Sequence, residues 1–491
     1  MKRLDSWLNQ MTMYALVQYG LLAVIVYAAL LGFIGQLPYS GWAILIAATI
    51  LASVCRLLNM LLAWLWQATP SVESATITGL ILTLIVVPPK SLMDCLVLTL
   101  IAALAMTSKY ILAFRRQHIF NPAAIALVII GLAGSGKAIW WVATPILLPA
   151  TAILGALVAR KLQRVGFVVS CLVAAVATMA VVALVQGNFD LTIITSAFLS
   201  WPLVYFATIM VTEPATTPIT KRWRYIYAVV IGGLFASQLR LGPIATTPEV
   251  ALVAGNLLGL AVSGRRRVRL TLKQANSLAA NIQEFVFTPD RPMPFAAGQY
   301  LEWALPHRRP DLRGSRRYFT IASSPTESEL RIGIKLGPGR TSSFKTALAA
   351  LKPGQWLTAA HAAGDFTLPT NASIKQVWIA GGIGVTPYRS MAKYLTDTKQ
   401  RRDIHLIYLA SSAEAFAYRD IFDQASQSVG IKVHYLVTPL TPKLLRELVP
   451  DWQEREYYIS GPSGLVRLHQ NSLRSAGIEA SKIKVDDFPG F

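Results

Sequence analysis

Arg317, Phe319 and Thr320 fall in the run Arg317-Tyr318-Phe319-Thr320-Ile321-Ala322-Ser323-Ser324, whose residue types favour a β-strand. Side chains alternate across a strand, so Arg317 and Phe319 share one face. An arginine fork suits a pyrophosphate, a flat ring suits an isoalloxazine, and a neighbouring hydroxyl can reach a ring nitrogen. These three groups could therefore serve the phosphates, the ring face and N5 of a flavin nucleotide, with Thr320 the contact nearest the chemistry. The alternative is a strand with a surface Arg and a core Phe. A second phosphate device follows at Gly339-Arg340-Thr341-Ser342-Ser343-Phe344, which opens a helix running to Leu351. Gly339 admits a close backbone approach, and the free N–H groups and Ser342 at a helix start suit a phosphate.

A third pattern begins near residue 375. Gln376 to Ala380 reads as a buried strand, Gly381-Gly382-Ile383-Gly384-Val385-Thr386-Pro387 as the turn into a helix over 387–396, and His405 to Ala410 as the next strand. A glycine-rich turn in a continuing βαβ unit is a dinucleotide phosphate site. Tyr457-Tyr458-Ile459-Ser460-Gly461-Pro462 adds a strand whose Gly-Pro turn lies at the edge where parallel sheets bind ligands.

These groups need a scaffold. From Val268 the apolar residues alternate with period two, at Val268–Leu272, Ile282–Phe287 and Gln299–Trp303, which predicts a small antiparallel β-barrel with turns at Pro292–Pro294 and Gly298. The α/β pattern follows it.

The first half of the chain is different in kind. The protein has 491 residues, 54% hydrophobic and 14% charged, which fits a membrane part joined to a soluble part. Apolar runs long enough or nearly long enough to span a bilayer occur at 12–34, 41–66, 75–88, 92–113, 120–133, 138–158, 166–186, 191–211, 225–240 and 247–263, the shortest being candidates for half-helices. The charged start with no small-residue cleavage site reads as the first membrane helix rather than a signal peptide. The formal charge of +21 is concentrated where alternate helices would leave the bilayer, at Lys2, Arg3, Lys109, Arg115, Arg116, Arg160, Lys161, Arg164, Lys221, Arg222, Arg224 and Arg265–Arg269, against Lys90, Lys137 and Arg240 on the other side. That asymmetry predicts a multi-pass inner-membrane protein with both termini in the cytoplasm, bound to lipid and not to nucleic acid. Cys55, Cys95 and Cys171 lie in apolar segments with no cysteine beyond, so no disulfide framework, zinc site or cysteine-held iron–sulfur cluster is indicated.

Three places break the apolar pattern. Ser74-Ala75-Thr76-Ile77-Thr78-Gly79 and the run from Thr208 through Thr212-Glu213-Pro214-Ala215-Thr216-Thr217-Pro218 put hydroxyls, Gly and Pro at helix ends with an acid nearby. Interrupted segments of this kind hold polar ligands or ions in inverted-repeat membrane proteins; surface loops are the alternative. Arg115-Arg116-Gln117-His118-Ile119-Phe120-Asn121-Pro122 starts a helix at Asn121-Pro122 beside cationic or neutral donors, an arrangement that suits a phosphate. A positive-inside loop before a proline-started helix is the alternative there.

Ser74-Ala75-x-x-Thr78-Gly79-Leu80-x-Leu82, His118-x-Phe120-Asn121-Pro122-Ala123, Trp140-Trp141-x-x-Thr144-Pro145 and Thr212-Glu213-Pro214-x-Thr216-x-Pro218 resemble the family of flavin-carrying membrane proteins found in Rnf-type electron-transport complexes and in the sodium-pumping NADH:quinone reductase. The resemblance covers about residues 10–263. It implies a bundle of ten helices in two repeats that holds a flavin and passes electrons across the membrane. Many members join FMN to the Thr of a Ser-Gly-Ala-Thr tetrapeptide, which is missing from this chain. The second flavin, FMN or riboflavin, is therefore expected to be non-covalent, with Arg116, His118, Asn121, Thr76, Thr78, Thr212 and Thr216 as candidate contacts.

Arg317-x-Phe319-Thr320, Gly339-x-x-Ser342, Gly381-Gly382-x-Gly384-x-x-Pro387 and Ser460-Gly461-Pro462 resemble the ferredoxin–NADP⁺ reductase family across about 270–491. The resemblance implies FAD held by Arg317 at the pyrophosphate, Phe319 on the ring and Thr320 at N5. It also implies NAD(P)H cradled by Gly381, Gly382, Gly384, Thr386 and Pro387, with Ser460, Gly461 and Pro462 beside the nicotinamide. Ser460 stands where the family often has Cys and Phe319 where it often has Tyr, so a hydroxyl would do any nicotinamide positioning. Phe491 could cover the other flavin face or belong to an ordinary tail. Glu414 after Ser411-Ser412 suits ribose hydroxyls and mildly favours NADH over NADPH.

The expected architecture is a polytopic α-helical membrane bundle (1–264), an antiparallel β-barrel FAD domain (265–370) and an α/β nucleotide-binding domain (371–491). The expected function is transfer of electrons from NADH or NADPH through FAD and a membrane flavin to a quinone or an extracytoplasmic redox protein. Flavin at the junction can take two electrons and release them singly. A transporter of flavin or Na⁺ with a reductase-like sensor is the alternative. A haem route is disfavoured because His118 is the only histidine before residue 307. Ion pumping is left open, since a pump and a passive wire could share these helices.

Overall fold

The computed structural model describes every residue except 1–3, 5–7, 9, 10, 67–70, 115, 116, 135, 188, 191, 200, 219, 242, 243, 263–266, 280, 308–310, 312–314, 337–341, 361 and 489–491. The chain divides into two compact units, residues 1–266 and residues 267–311 with 315–491.

The first unit is helical because its apolar runs leave the backbone no better partner than itself. Its helices are α1 (Met13–Phe33), α2 (Gly41–Leu65), α3 (Val72–Ile85), α4 (Leu92–Ile111), α5 (Pro122–Leu132), α6 (Leu148–Lys161), α7 (Val165–Val185), α8 (Thr192–Leu199), α9 (Lys221–Ala236) and α10 (Pro248–Val262). Side-chain caps start several of them: Thr12 accepts from Ala15 N–H at 3.0 Å, Ser91 and Asp94 form a capping box on α4, and Asn121 accepts from Ala124 N–H at 3.1 Å ahead of Pro122. Among the described residues four helices, α1, α2, α4 and α7, are long and apolar enough to cross a membrane. Three shorter apolar helices, α3, α5 and α10, reach 14, 11 and 15 residues. At about 1.5 Å per residue they stop short of a hydrocarbon core about 30 Å thick. Most of α3 is buried, its Thr76, Thr78 and Thr83 hydroxyls being satisfied by carbonyls of the preceding turn.

Two sequence-predicted spans are interrupted. The run 138–158 becomes helical only at Leu148, after a 3₁₀ turn over Trp141–Ala143 that follows Trp140 in a left-handed conformation, φ 49°. Pro145 has no N–H to donate to a helix there. The run 191–211 ends as α8 at Leu199 and restarts after Pro202 as one turn, Leu203–Tyr205, leading into a π-helix over Phe206–Met210. Hydropathy alone cannot see either break.

The second unit carries two sheets. The first uses β1 (Val268–Ala279), β2 (Ile282–Pro289), β3 (Tyr300–Ala304), β4 (Arg316–Thr320), β5 (Leu330–Lys335) and β6 (Trp356–Ala359). The alternation predicts a barrel; the six strands pair antiparallel in the order β4-β3-β6-β1-β2-β5, with β4 and β5 at the edges. Just past β4, Ala322 N–H donates to Arg331 O of β5 at 2.8 Å. Val268, Leu272, Phe287, Trp303, Ile332 and Leu357 pack in one core cluster.

The second sheet uses β7 (Gln376–Gly381), β8 (Ile404–Leu409), β9 (Lys432–Leu436), β10 (Glu456–Pro462) and β11 (Ile483–Phe488). They pair in parallel in the order β9-β8-β7-β10-β11. The central β7 and β8 are buried throughout, as expected for strands covered on both faces. Helices α12 (Thr386–Asp397), α13 (Arg419–Val429) and α15 (Ser463–Ser475) cross between strands, α14 (Pro442–Leu448) follows β9, and α11 (Ser343–Ala349) belongs to the first lobe.

Candidate functional site

Strand β4 lies at the edge of its sheet and pairs with β3, Thr320 opposite Tyr300 and Phe319 opposite Leu301. Arg317 and Phe319 stand on one face, and Tyr318, on the other, is 62% exposed. The Arg317 guanidinium, 11% exposed, donates from Nη2 to both carboxylate oxygens of Asp311, at 2.7 and 2.9 Å, and from Nη1 to Arg316 O at 2.7 Å. The same carboxylate accepts from the Ser343 N–H at 3.1 Å. Ser342 caps α11 by accepting from Lys345 N–H at 3.3 Å. The arginine and the helix start that the sequence marks as separate phosphate devices thus reach one anionic group. Phe319 is half-buried against the sheet core, with its ring centroid 5.7 Å from that of Phe344. Thr320 is buried. Gly339 and Phe491 lie outside the described residues.

At the other sheet, two turns abut. Strands β7 and β10 are neighbours with Ala380 opposite Ser460, so the turns at their C-terminal ends lie side by side. A Cβ on Gly384 would stand 2.4 Å from Ser460 O and 2.5 Å from Gly461 Cα, which only glycine permits. Gly382 has φ +52° and open space where a side chain would be, leaving its backbone accessible to a ligand. The Ser460 hydroxyl is fully buried and has no hydrogen-bond partner among the described residues. Thr386 donates to Ile383 O at 3.1 Å, closing the turn, and Pro387 sits in the first turn of α12. Tyr388 behind it reaches both strands, Ile379 O at 3.1 Å and Tyr458 O at 2.7 Å, and burial pushes its phenol pKa well above the usual range. The open Gly382 cradle, the unsatisfied Ser460 hydroxyl and the anion-gathering Arg317 and Ser343 N–H all fit nucleotide cofactors.

In the helical unit, the structure joins two of the three polar breaks. Asn121 donates through Nδ2 to Glu213 at 2.8 Å, Thr216 donates to the same carboxylate at 3.3 Å, and His118 Nε2 lies 3.6 Å from it. The chain of contacts extends inward: Asn121 N–H donates to Asn256 Oδ1 at 2.7 Å, and Asn256 Nδ2 to the Tyr227 hydroxyl at 3.0 Å. Gln117 and Arg164 tie the 212–218 segment in place through Ala215 O, Thr212 O and Thr217. Thr212 turns its hydroxyl back to Thr208 O of the π-helix before it, and Thr76 and Thr78 turn theirs to Val72 O and Ser74 O within α3. Arg116 lies outside the described residues. Asn256, Tyr227, Asp311 and Tyr388 carry no local motif.

Residues 378–470 match the family described as Oxidoreductase NAD-binding domain. The chain is 29% identical over 245 residues to a flavohemoprotein of Pseudomonas putida, covering 46% of this chain and 59% of that one. It is 27% identical over 226 residues to the glycine betaine monooxygenase reductase subunit of Pseudomonas aeruginosa, covering 42% and 60%. It is 26% identical over 190 residues to the NADH oxidoreductase HCR of Escherichia coli, covering 38% and 57%. The chain spans less than two-thirds of the length of these relatives. Fold, turns and relatives together are those of an oxidoreductase NAD-binding domain in the C-terminal half. More particularly, the C-terminal half is similar in sequence to a flavohemoprotein and to a monooxygenase reductase subunit, over the same residues that resemble the ferredoxin–NADP⁺ reductases.

Proposed function

We propose that the chain is a membrane flavoprotein oxidoreductase. It moves electrons from cytoplasmic NAD(P)H through FAD to a second, non-covalent flavin in the membrane and on to a quinone or an extracytoplasmic acceptor. The observation that carries the cytoplasmic part is the meeting of Arg317 and the Ser343 N–H on one carboxylate, in the same unit as the Gly382 cradle. FAD held by Arg317, Phe319 and Thr320 would supply the acceptor for the hydride of a reduced nicotinamide and the change from paired to single electrons.

In this reading Arg317, Gly339 and Ser342 bind the flavin pyrophosphate, Phe319 packs on the ring and Thr320 hydrogen-bonds N5. Phe491 covers the far face. Gly381, Gly382, Gly384, Thr386 and Pro387 hold the phosphates of NAD(P)H, and Ser460 with Gly461 and Pro462 positions the nicotinamide. The domains run 1–264, 265–370 and 371–491. The membrane part is supported by the four helices of spanning length and by the network around Glu213, where His118, Asn121 and Thr216 converge. Arg116, Thr76, Thr78 and Thr212 complete the proposed flavin contacts.

The test is the flavin content of detergent-purified protein after acid precipitation, followed by anaerobic addition of NADH or NADPH. Two flavins in the supernatant and rapid bleaching are expected. One flavin removes the membrane relay, flavin in the pellet overturns the non-covalent reading, and uptake of flavin or Na⁺ without nucleotide oxidation returns the transporter.

A further inference from the structure

The helix that leaves the glycine turn is fastened to the segment that leaves the Arg317 strand. Arg389, on α12 and 4% exposed, donates through Nη1 to Ala322 O at 3.1 Å and pairs with both carboxylate oxygens of Glu327, Nη2 to Oε1 at 3.0 Å. Glu327 in turn accepts from Ser324 N–H at 2.6 Å and lies 3.3 Å from Arg331 Nε. The next residue of the helix, Ser390, donates to Ser323 O at 2.6 Å. Ala322 stands two positions past Thr320, and Arg389 five positions past Gly384. Strand β5 closes the same junction: a Cβ on Gly333 would stand 3.1 Å from both Ile383 and Thr386 of the glycine turn.

A buried ion pair is a poor way to gain stability, because desolvation cancels most of its attraction and an apolar pair of equal volume does as well. What it supplies is register. The guanidinium accepts one orientation only, set by three acceptor atoms on the flavin side, and the carboxylate is fixed by a backbone N–H of its own turn. We infer that Arg389 and Glu327 are positioning residues that set the distance between the nicotinamide turn and the flavin strand, so that hydride donor and acceptor meet without a hinge motion. This rests on the reading of the site given under Proposed function. A misplacement of about 1 Å can cost about a hundredfold in rate.

The experiment uses the full chain in detergent with Arg389→Gln, Glu327→Gln, the double variant and Arg389→Lys. Amide hydrogen exchange over 322–331 and 386–397, measured without nucleotide, should rise in both segments in either single variant and rise no further in the double. In rapid mixing with NADH or NADPH, the limiting bleaching rate should fall about tenfold to about a hundredfold. The nucleotide concentration giving half that rate and the flavin content should stay close to wild type, and Arg389→Lys should regain part of the rate. A limiting rate that is unchanged, or a loss that appears only in half-saturation, overturns the inference. So does exchange that rises in one segment alone. If Arg389→Gln does not fold, Ser390→Ala, which removes only the second tie, should show the same pattern with a smaller loss, and wild-type behaviour there is equally fatal. A wild type that never bleaches sinks the functional reading, and the exchange data then still decide whether the two segments are coupled.

Discussion

Arg317 Nη2 lies 2.7 and 2.9 Å from the two carboxylate oxygens of Asp311. The acid therefore occupies the anion-binding groups that the proposed function assigns to a pyrophosphate, and FAD must take its place. Asp311→Asn removes a partly exposed ion pair worth about 1 kcal/mol and should tighten FAD about fivefold. Arg317→Ala should strip FAD and abolish NAD(P)H oxidation while the protein still inserts. Titration of the flavin-free protein with FAD, followed by flavin fluorescence, reads both. Weaker binding in Asp311→Asn would show that the acid orients the arginine rather than competing for it.

Gly384→Ala drives a methyl into Ser460 O and Gly461 Cα, both backbone atoms that cannot step aside. Overpacking of this kind costs about 1–3 kcal/mol. The expected result is a lower melting temperature and at least tenfold weaker NAD(P)H binding with FAD retained. Gly382→Ala meets no neighbour and suffers only the left-handed conformation, about 1–2 kcal/mol.

His405 on β8 and His434 on β9 stack with ring centroids 5.5 Å apart and nitrogens 3.3 Å apart. Burial first, then the charges of Arg455 and Lys432 and the His434 ring, against a smaller opposing effect of Asp403, lower the His405 pKa to about 4. Burial also lowers that of His434. The unfolded chain therefore binds protons that the folded one excludes. Stability from this pair is complete above pH about 6.5 and is lost as the pH falls from there toward about 4. Melting curves of the protein across that window should drop by several degrees, and His405→Gln should flatten the drop.

Asn256 links Asn121 N–H to the Tyr227 hydroxyl inside the helical unit. Asn256→Leu leaves both groups without this partner in a buried setting, at about 1–3 kcal/mol each. The prediction is loss of the membrane flavin, from two per chain to one, while NAD(P)H still bleaches FAD. Retention of both flavins would place the second one elsewhere.

The site was most legible where chemistry is local. β-favouring residue types mark β4 and its Arg317–Thr320 run, and glycines flanking apolar strands mark the 381–387 and 460–462 turns, because turn conformation depends on the residues in the turn. Asp311 and the Arg389–Glu327 pair were not legible: the latter are 62 residues apart, and sequence spacing says nothing about partners brought together by two different sheets. Helix limits failed at 138–158 and 191–211 because hydropathy averages over Pro145 and Pro202, whose missing N–H breaks what the average joins. His118, Asn121 and Thr216 stood out as breaks in an apolar pattern, whereas Asn256 and Tyr227 sit singly inside ordinary helical runs.

Ile282, Ala297, Ala322 and Phe366 share one buried cluster with Trp378, Tyr388 and Met391, across the boundary between the proposed FAD and NAD(P)H domains. A shortened chain ending near residue 370 would leave that seam open to water and invite clumping in the cell. The two lobes are therefore expected to unfold together, as one cooperative block rather than as independent beads.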